Sequence, residues 1–477
     1  MTQPVTVFVS GVFDVLHPGH LRLLRFAREL GDRLIVGVLS DDLAGDIAHV
    51  SQDLRLEGVK ANSFVSEALL VDTSLENTID RLRPNYVVKG KEYEHQSNVE
   101  PDVLDKYGGK LVFSSGEAVF SSLDLIRKEL TKSYRTISNE PTDFLVRHGI
   151  DLVDLVSKVR DIHNLQICVI GDLIVDEYIT CDPLGMSHED PTLVVTTVDT
   201  QRFLGGSGIV AGHAAGLGAK VHHLSISGKD DTRDYAYREL QRLGLDVTLL
   251  GDNVRPTTLK KRYRAEKTTL LRVSHLHQGA IDAGLQDQLL EKFREVLPDC
   301  QLVVFSDYNY GCLPQTLVEK LIKLSEKHDV MMVADSQSSS QIGDVSRFRG
   351  MHLLTPTEHE ARVSLRNHED GLVVLAEQLR VRSKARNIIL KLGREGALLL
   401  LESDQGEPQT DRIPALNLSP QDASGAGDAL LVASAMLMAV GATPWEAAYV
   451  GTVASAVQVG RIGNIPLTQA DLLGEIM

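Results

Sequence analysis

The stretch GVFDVLHPGHLRLLRFAREL, Gly11 to Leu30, decides the fold of the first part of the chain. It follows the apolar run VTVFVS, and its second half has apolar residues at helical spacing, so it predicts a strand that turns into an amphipathic helix. A helix beginning at such a turn presents free backbone N–H groups and the positive end of its dipole. His17 and His20 lie there, where imidazoles can donate hydrogen bonds to phosphate oxygens. The stretch predicts a phosphate site, the alternative being two surface histidines that flank a tight turn.

Strand-like apolar runs and helix-period segments alternate along the whole chain. RLIVGVLS, NYVVKG and KLVFSS follow in the first part, and LQICVIGD, LVVFSD, VMMVAD and NIILKLG occur in the second. This order predicts an α/β protein with doubly wound sheets. The polar stretch LTKSYRTISNEPTD, residues 130–143, separates the two parts. We therefore predict one domain over residues 1–137 and a second over residues 145–477.

The composition excludes several classes of function. Among 477 residues, 49 Lys and Arg face 65 Asp and Glu, for a net charge of −16, so a nucleic-acid partner is not expected. The four cysteines show no close pairing, which favours a reducing compartment. The start MTQPVTVFVS has no signal-peptide pattern, and the longest weakly polar run, ALLVASAMLMAVGA, is too short to span a bilayer. We expect a cytoplasmic protein without a membrane partner, and that run as a buried helix.

Later segments place the opening stretch in a known context. Together with LSDD, VVKGKEY (Val87 to Tyr93) and FSSLDLI (Phe120 to Ile126), the pattern G-x-F-D-x-x-H-x-G-H resembles the cytidylyltransferase-like nucleotidyltransferases over about the first 137 residues. The resemblance implies a Rossmann-like domain that binds ATP or CTP, whose α-phosphate a substrate phosphate attacks. It implies nucleotide-binding or catalytic roles for Gly11, Asp14, His17, His20, Arg55, Lys89, Gly90, Ser121 and Ser122. One departure is Leu123, where a further hydroxyl is usual.

A second Gly-rich segment, PQDASGAGDALLVASAMLMA, occupies Pro420 to Ala439. Gly425, Ala426 and Gly427 precede an apolar helix, so backbone N–H groups there can surround a transferring phosphoryl group. Asp428 can then take a proton from an attacking hydroxyl. The segment predicts phosphoryl transfer to an alcohol, and a Gly-rich turn with an Asp cap is the alternative.

This segment belongs to a wider pattern that includes GDLIVDEY, RFLGGSGIVAGHAAGLGAK, LLTPTEHEAR and ILKLGREGALLL. From about Leu145 onward the chain resembles the ribokinase-like (PfkB-like) sugar kinases, and its details resemble the heptose 7-phosphate kinases. The resemblance implies a ribokinase-like α/β domain with ATP bound near Gly393, Mg²⁺ linked to Glu360, and Asp428 as the base. It also implies that the sugar is bound by Asp172, Gly205, Gly206, Lys260 and Asp307.

Several positions keep alternatives open. Arg255, Lys260, Lys261 and Arg262 are candidates for a substrate phosphate, or form a charged strand face. The family pattern has Asn where this chain has Ile209 and Thr357, and a Lys-Gly pair where it has SQSSS. Because of these departures, the pattern leaves open which sugar the second domain binds and how fast it transfers a phosphoryl group.

The combination resembles the bifunctional heptose kinase and heptose-phosphate adenylyltransferases of ADP-heptose synthesis, with the two halves in reversed order. It implies sugar phosphates and nucleotides as partners, and a homo-oligomer, with a dimer as the expected form. One alternative is a CTP-dependent cytidylyltransferase for a polyol or sugar phosphate. Another is a kinase-like half that only binds a sugar phosphate, as a regulatory or dimerisation module.

Overall fold

A computed structural model describes residues 5–14, 16, 18–45, 48–90, 99–114, 136–187, 190–265, 268–337, 343–402 and 408–477. The chain divides into two compact units, Met1–Ser133 and Tyr134–Met477. Within the described ranges, no helix has the length and apolar character needed to cross a membrane.

The first unit is built on a five-stranded parallel sheet in the order β3-β2-β1-β4-β5. Its strands are β1 (Thr6–Gly11), β2 (Arg33–Leu39), β3 (Glu67–Val71), β4 (Tyr86–Gly90) and β5 (Lys110–Ser114). The strand order reverses between β1 and β4. In open α/β sheets, this switch point is where the carboxyl ends of the strands leave a crevice for a ligand.

Helices cover both faces of that sheet. They are α1 (Pro18–Glu29), α2 (Asp41–Ala44), α3 (Gln52–Lys60), α4 (Leu75–Leu82) and α5 (Glu100–Leu104). Val7 and Val9 on β1 pack into one apolar cluster, whereas Phe8 between them packs with Ile79 of α4 in another. This alternation explains why β1 reads as a continuous apolar run, since a strand buried on both faces needs apolar residues at every position.

The second unit contains a nine-stranded sheet in the order β10-β9-β6-β13-β14-β15-β16-β17-β18. Its strands are β6 (Gln166–Gly171), β9 (Lys220–Ser227), β10 (Asp246–Gly251), β13 (Leu302–Asp307), β14 (Met331–Ser336), β15 (Leu353–Leu354), β16 (Asn387–Lys391), β17 (Ala397–Leu401) and β18 (Gln409–Ile413). The pairs β16–β17 and β17–β18 are antiparallel and the others parallel.

A smaller, four-stranded sheet has the order β12-β11-β7-β8. It comprises β7 (Leu173–Met186), β8 (Leu193–Gly206), β11 (Thr258–Ala265) and β12 (Thr268–His275). Because β7 begins two residues after β6 ends, the chain passes directly from the large sheet into the small one. This passage brings the small sheet to the carboxyl ends of the central strands.

The helices of the second unit are α6 (Thr142–Arg147), α7 (Leu152–Asp161), α8 (Ser207–Gly216), α9 (Asp231–Arg242), α10 (Ala283–Val296), α11 (Gln315–Lys327), α12 (Glu358–Leu365), α13 (Leu372–Ser383), α14 (Ala426–Ala439), α15 (Pro444–Val459) and α16 (Gln469–Ile476). Short 3₁₀ segments span Ile162–Asn164, Leu297–Asp299, Val345–Arg347 and Gly393–Glu395. Helix α14 is buried on all sides, as its uniformly apolar sequence predicts. The four cysteines are free and buried.

Candidate active sites

The second unit has a cavity of about 710 Å³ where α14 begins beside the small sheet. Both sheets, the start of α12 and the Gly393–Glu395 turn contribute to its wall. The polar and glycine residues that line it include Asp176, Gly206, Lys260, Arg262, Tyr308, Thr357, Glu360, Lys391, Gly393, Gly425, Gly427, Asp428 and Asn464. This is the volume of a small-molecule site.

Asp428, in the first turn of α14, lies buried in the wall of this cavity. The Tyr308 hydroxyl donates to its carboxylate, with distances of 2.9 Å to Oδ1 and 3.0 Å to Oδ2. Burial raises the pKa of Asp428 to about 6, against the lowering effects of the Tyr308 hydroxyl and of Lys391. Asp428 is therefore ionised at neutral pH, and its pKa is high enough for it to accept a proton.

The glycine-rich segment predicted as an anion hole forms the start of α14. Gly425 is the N-cap residue with φ of 75°, and it, Ala426 and Gly427 line the cavity. The first N–H groups of a helix have no intrahelical acceptor, so those of Gly427 and Asp428 are available to an anion. Gly425 cannot be larger without strain, because a Cβ there would lie 2.7 Å from Asn464 Oδ1.

Lys391, at the end of β16, lies next to this anion hole. Its Nζ donates to Asp335 Oδ2 at 2.7 Å, and a Cβ on Gly427 would lie 2.8 Å from the same Nζ. Burial lowers the pKa of Lys391, but the Asp335 and Glu360 carboxylates outweigh it and the net shift is upward. Lys391 is therefore a charged ammonium in a buried position.

Glu360, the residue predicted to be linked to Mg²⁺, lies in the cavity wall and begins α12 together with Thr357. The Thr357 N–H donates to Glu360 Oε2 at 2.7 Å, and the Glu360 N–H donates to Thr357 Oγ1 at 3.2 Å. This reciprocal capping box fixes the helix start. Thr357 thus has a structural role at the position where the family pattern has Asn.

The small sheet supplies the opposite wall. Asp176 on β7 is paired with Arg262 on β11 and accepts from Asn464 Nδ2 at 3.0 Å. Lys260, also on β11, places its Nζ 5.1 Å from the ring centroids of both Tyr308 and Tyr310. Gly206 lines the cavity, and a Cβ on Gly205 would lie 2.5 Å from Asp176 Oδ2. The glycine pair therefore lets β8 approach the Asp176 carboxylate closely.

A second cavity of about 360 Å³ shares residues with the first and contains an arginine cluster, Arg262, Arg264 and Arg272. Arg262 and Arg272 are directly opposite each other on β11 and β12. Arg262 and Arg264 each lie 5.2 Å from the Tyr178 ring centroid. Asp422 also lines this cavity, with its Oδ2 3.8 Å from Arg264 Nη1, and Arg262 is paired with Asp176. Three guanidinium groups beside one lining carboxylate leave an excess of positive charge, which favours an anion.

Three of the residues predicted to contact the sugar, Asp172, Gly205 and Asp307, do not line this cavity. Asp172 accepts the backbone N–H groups of Tyr308, Tyr310 and Cys312 at 2.8, 3.2 and 3.1 Å. Asp307 accepts from Ser336 Oγ at 2.6 Å and from Arg347 Nη2 at 2.7 Å. The Asp172 carboxylate thus holds the loop after β13, whereas the Asp307 carboxylate joins the end of β13 to β14 and to Arg347.

The structure describes the surroundings of two of the three departures from the sugar-kinase pattern. Ile209 is completely buried in the apolar core around α8 and does not line the cavity. Thr357 caps α12, as described above. Of the SQSSS segment, residues 338–340 lie outside the described part of the chain.

The crevice of the first unit contains part of the predicted nucleotide site. Asp14 is buried and accepts the N–H groups of His49 and Val50, each at 2.8 Å, so it orders the segment after α2. Gly11 and Gly90 end the adjacent strands β1 and β4. His20 lies in α1 with its ring centroid 5.1 Å from that of Phe13.

Arg55 is a correction to the expected triphosphate contact. It is 2% exposed, and its guanidinium donates to the carbonyls of Val50 at 2.8 Å, Val12 at 2.6 Å and Leu39 at 2.9 Å. Its remaining nitrogen pairs with Asp41 at 2.6 Å. Arg55 is thus a structural residue that joins three segments of the first unit.

Lys89 also has a buried acidic partner, because its Nζ donates to Glu100 Oε1 at 2.7 Å. Glu100 is fully buried. The predicted residues His17, Ser121 and Ser122 lie outside the described ranges. The described part of this site therefore consists of the strand ends, Asp14, His20 and the Lys89–Glu100 pair.

Sequence reasoning missed several cavity residues. Asp176 lies in the quoted segment GDLIVDEY, and Tyr308 directly follows the quoted segment LVVFSD, but nothing in one sequence distinguishes them from their neighbours Asp172 and Asp307. Lys391 and Asp335 are 56 residues apart; Lys391 ends β16, and Asp335 is the penultimate residue of β14. A charged residue near the carboxyl end of an apolar strand is a signal that could have identified both.

Comparisons with known proteins agree with both halves of the structure. The family model of the pfkB family carbohydrate kinases matches residues 164–470, and the cytidylyltransferase-like model matches residues 8–182. The second match extends beyond Ser133, where the first compact unit ends. The predicted fold class is confirmed, as is the prediction of a kinase and a nucleotidyltransferase at the level of family.

The curated relatives differ from this chain at most of the aligned positions. The bifunctional protein HldE of Desulfatibacillum aliphaticivorans is 28% identical over 318 residues, which are 66% of this chain and 63% of that protein. HldE of Campylobacter jejuni subsp. doylei is 30% identical over 310 residues, 64% of this chain and 63% of that protein. The chain thus spans about 63% of the length of these relatives. The reversed order of the halves stays a prediction.

The second unit also resembles a solved structure. The crystal structure of phosphofructokinase-2 from Escherichia coli in complex with potassium has a TM-score of 0.54 and is 17% identical. The match covers 65% of this chain and 96% of that one. At this identity the likeness shows the fold alone. By the match over residues 164–470, the chain belongs to the pfkB family carbohydrate kinases, with a cytidylyltransferase-like domain before the kinase domain.

Proposed function

We propose that the chain is a bifunctional enzyme that makes a nucleotide-activated sugar. The second unit would transfer the γ-phosphoryl group of ATP to a hydroxyl of a sugar phosphate, and the first would join a sugar phosphate to a nucleotide. In its specific form the proposal is ADP-heptose synthesis: phosphorylation of heptose 7-phosphate at C1, and later adenylyl transfer to heptose 1-phosphate. HldE-named relatives support this form.

One observation carries the kinase half: the buried Asp428 carboxylate lies in the first turn of α14, beside the anion hole and in the wall of the cavity. The sugar hydroxyl would attack the γ-phosphorus, the bond from this phosphorus to the bridging oxygen of ADP would break, and the hydroxyl proton would pass to Asp428. Tyr308 holds the carboxylate in place. The N–H groups of Gly427 and Asp428 would stabilise the developing charge.

The residues present also fit Mg²⁺. Glu360 lines the cavity, and Asp335 Oδ1 is a buried oxygen without a hydrogen-bond partner in the described structure. Among the described residues, no group of three or more His, Cys, Asp or Glu could hold a metal ion, so nucleotide phosphates would complete the coordination. When bound, Mg²⁺ would neutralise phosphate charge. Gly393 and the α14 glycines would bind ATP.

The arginine cluster supports a phosphorylated substrate over a free sugar. Arg262, Arg264 and Arg272 lie in a cavity that shares residues with the one containing Asp428. A sugar whose reacting hydroxyl is near Asp428 could place its existing phosphate among these guanidinium groups. Asp176, with its partner Asn464, is a candidate for the sugar hydroxyls, in place of Asp172.

Measurement of ADP release tests the kinase half. The full chain, ATP and Mg²⁺ would be assayed with heptose 7-phosphate, ribose 5-phosphate, fructose 6-phosphate and the unphosphorylated sugars, with Asp428→Asn in parallel. The proposal expects turnover on a sugar phosphate that is lost in the variant. Tight binding of a sugar phosphate without turnover would instead favour a kinase-like half that only binds ligand.

Pyrophosphate release tests the transferase half. The chain would be incubated with heptose 1-phosphate or glycerol 3-phosphate and with ATP or CTP. The ADP-heptose form expects activity with ATP and heptose 1-phosphate. Activity only with CTP and the polyol phosphate would favour the cytidylyltransferase alternative, to which the match over residues 8–182 applies equally.

A further inference from the structure

We propose that Lys391 is a catalytic residue of the second unit: its ammonium binds the γ-phosphoryl group of the nucleotide and stabilises the charge of that group during transfer. The inference rests on the kinase function proposed above. It concerns a residue that the sequence patterns did not single out.

The position of the ammonium is the first argument. A single Cβ added to Gly427 would approach Lys391 Nζ to 2.8 Å, so the ammonium lies against the backbone of the anion hole itself. The same cavity wall contains Asp428 and Lys391. A phosphoryl group held by the N–H groups of Gly427 and Asp428 would therefore be within reach of Nζ.

The support of the side chain is the second argument. The Lys391 N–H donates to the Pro356 carbonyl at 2.8 Å, and Lys391 forms a parallel bridge with Thr357, which caps α12. Asp335 Oδ2 then fixes the ammonium at 2.7 Å. Residues from β14, β16 and the start of α12 thus hold one cation in one place, as preorganised electrostatic stabilisation requires.

The local charge is the third argument. Lys391 is hydrogen-bonded to Asp335 and lines one cavity together with the acidic residues Glu360 and Asp428, and all three carboxyl groups raise the pKa of its ammonium. A purely structural ion pair needs one partner, whereas a site that receives a polyphosphate needs cations to offset repulsion from these acids. Lys391 keeps three donors, of which Asp335 accepts one in the described structure.

In the transfer step the lysine gains and loses no proton. The hydroxyl oxygen of the sugar forms the new bond to phosphorus, the bridging oxygen leaves with ADP, and the proton goes to Asp428. Lys391 would hydrogen-bond an equatorial oxygen of the group in transfer, where charge is spread in the transition state.

The test compares Lys391→Met, Lys391→Arg and the control Lys323→Met, which removes an exposed lysine of α11. For Lys391→Met we expect kcat to fall about 100- to 1,000-fold while KM for the sugar phosphate changes less than about threefold. Lys391→Arg should recover part of kcat, and the control should match the wild type.

Nucleotide binding gives a readout independent of turnover. The affinities for ADP and for β,γ-methylene ATP would be measured by calorimetry on each full-length variant. Loss of the γ-phosphate contact should weaken analogue binding about tenfold more than ADP binding in Lys391→Met. An equal loss for both nucleotides, or kcat within about threefold of wild type, would overturn the proposal.

The outcomes separate this inference from the proposed function. If the wild type turns over no sugar phosphate, the proposed kinase function fails, while the two nucleotide affinities still test Lys391. Lys391→Met should fold at neutral pH, because burial already raises the pKa of Asp335 to about 7 and this carboxyl can take a proton when its partner is lost. A lowered Tm with unchanged preference for the analogue would identify a structural residue and overturn the proposal.

Discussion

Replacing Tyr308 with phenylalanine removes one hydroxyl group from the second unit. This hydroxyl donates to the Asp428 carboxylate, at 2.9 Å from Oδ1 and 3.0 Å from Oδ2. Burial raises the pKa of Asp428 to about 6, and the Tyr308 hydroxyl opposes that rise because it stabilises the ionised form. In Tyr308→Phe the Asp428 pKa should therefore increase further.

The magnitude follows from the strength of the lost bond. A hydrogen bond to a charged group contributes about 1.5–3 kcal/mol, and one pKa unit corresponds to about 1.4 kcal/mol, so the Asp428 pKa should rise by about 1–2 units. At pH 7 the ionised fraction of Asp428 should fall from about nine-tenths to between about one-half and one-tenth. The expected loss of kcat at pH 7 is about 2- to 10-fold, with recovery near pH 9.

The assay is ADP release from ATP with the sugar phosphate that gives turnover, measured from pH 5 to pH 9.5. The matched control is Tyr310→Phe, which removes a hydroxyl from the neighbouring buried tyrosine that also lies beside Lys260. An acidic limb that stays near pH 6 in Tyr308→Phe, or that moves equally in Tyr310→Phe, would refute the assignment of Asp428 as the base held by Tyr308.

Three further perturbations test other parts of the structure. Arg55→Met should lower the free energy of unfolding of the first unit in urea by about 3 kcal/mol, because three carbonyls lose a buried donor. The control Arg25→Met removes an exposed ion pair with Glu29 on α1 and should change this free energy by less than about 0.5 kcal/mol. Equal effects of the two substitutions would contradict a structural role for Arg55. Arg272→Gln should raise KM for a sugar phosphate about 10- to 100-fold with kcat nearly unchanged, and an equal change for the unphosphorylated sugar would exclude a phosphate contact. Burial raises the pKa of Asp172 to about 6 and that of Asp335 to about 7, so the folded chain holds protons that the unfolded chain releases. These two groups should therefore lower the free energy of unfolding as the pH rises from about 4 to 7. Asp335→Asn should reduce this fall, and an unchanged pH dependence of unfolding in the variant would contradict the raised pKa of Asp335.

The sequence was most informative where the chemistry is local. Gly425 to Asp428 are consecutive, and their position before an apolar helix sufficed to predict the glycine-rich helix start that carries the buried Asp428. The opening stretch likewise predicted β1 and α1, because strand, turn and helix follow one another directly. Alternation of strands and helices predicted the α/β class for the same reason.

The sequence was less informative where a residue's role depends on its side-chain partners. Asp172 and Asp176 are four residues apart, but only the passage from the large to the small sheet decides that Asp176 faces the cavity and Asp172 faces backbone N–H groups. From its place in the sequence, Arg55 is predicted to bind a ligand, and only the structure shows that its guanidinium donates to three backbone carbonyls. Lys391 and Asp335 meet through sheet register, which one sequence does not reveal.

The rate of ADP release by the full chain and by Asp428→Asn, with ATP, Mg²⁺ and heptose 7-phosphate at pH 8, tests the proposed kinase. We expect turnover by the wild type and a loss of at least about 1,000-fold in the variant, with nucleotide affinity retained. Equal rates in both proteins would contradict Asp428 as the base, and binding of the sugar phosphate without any release of ADP would contradict a kinase.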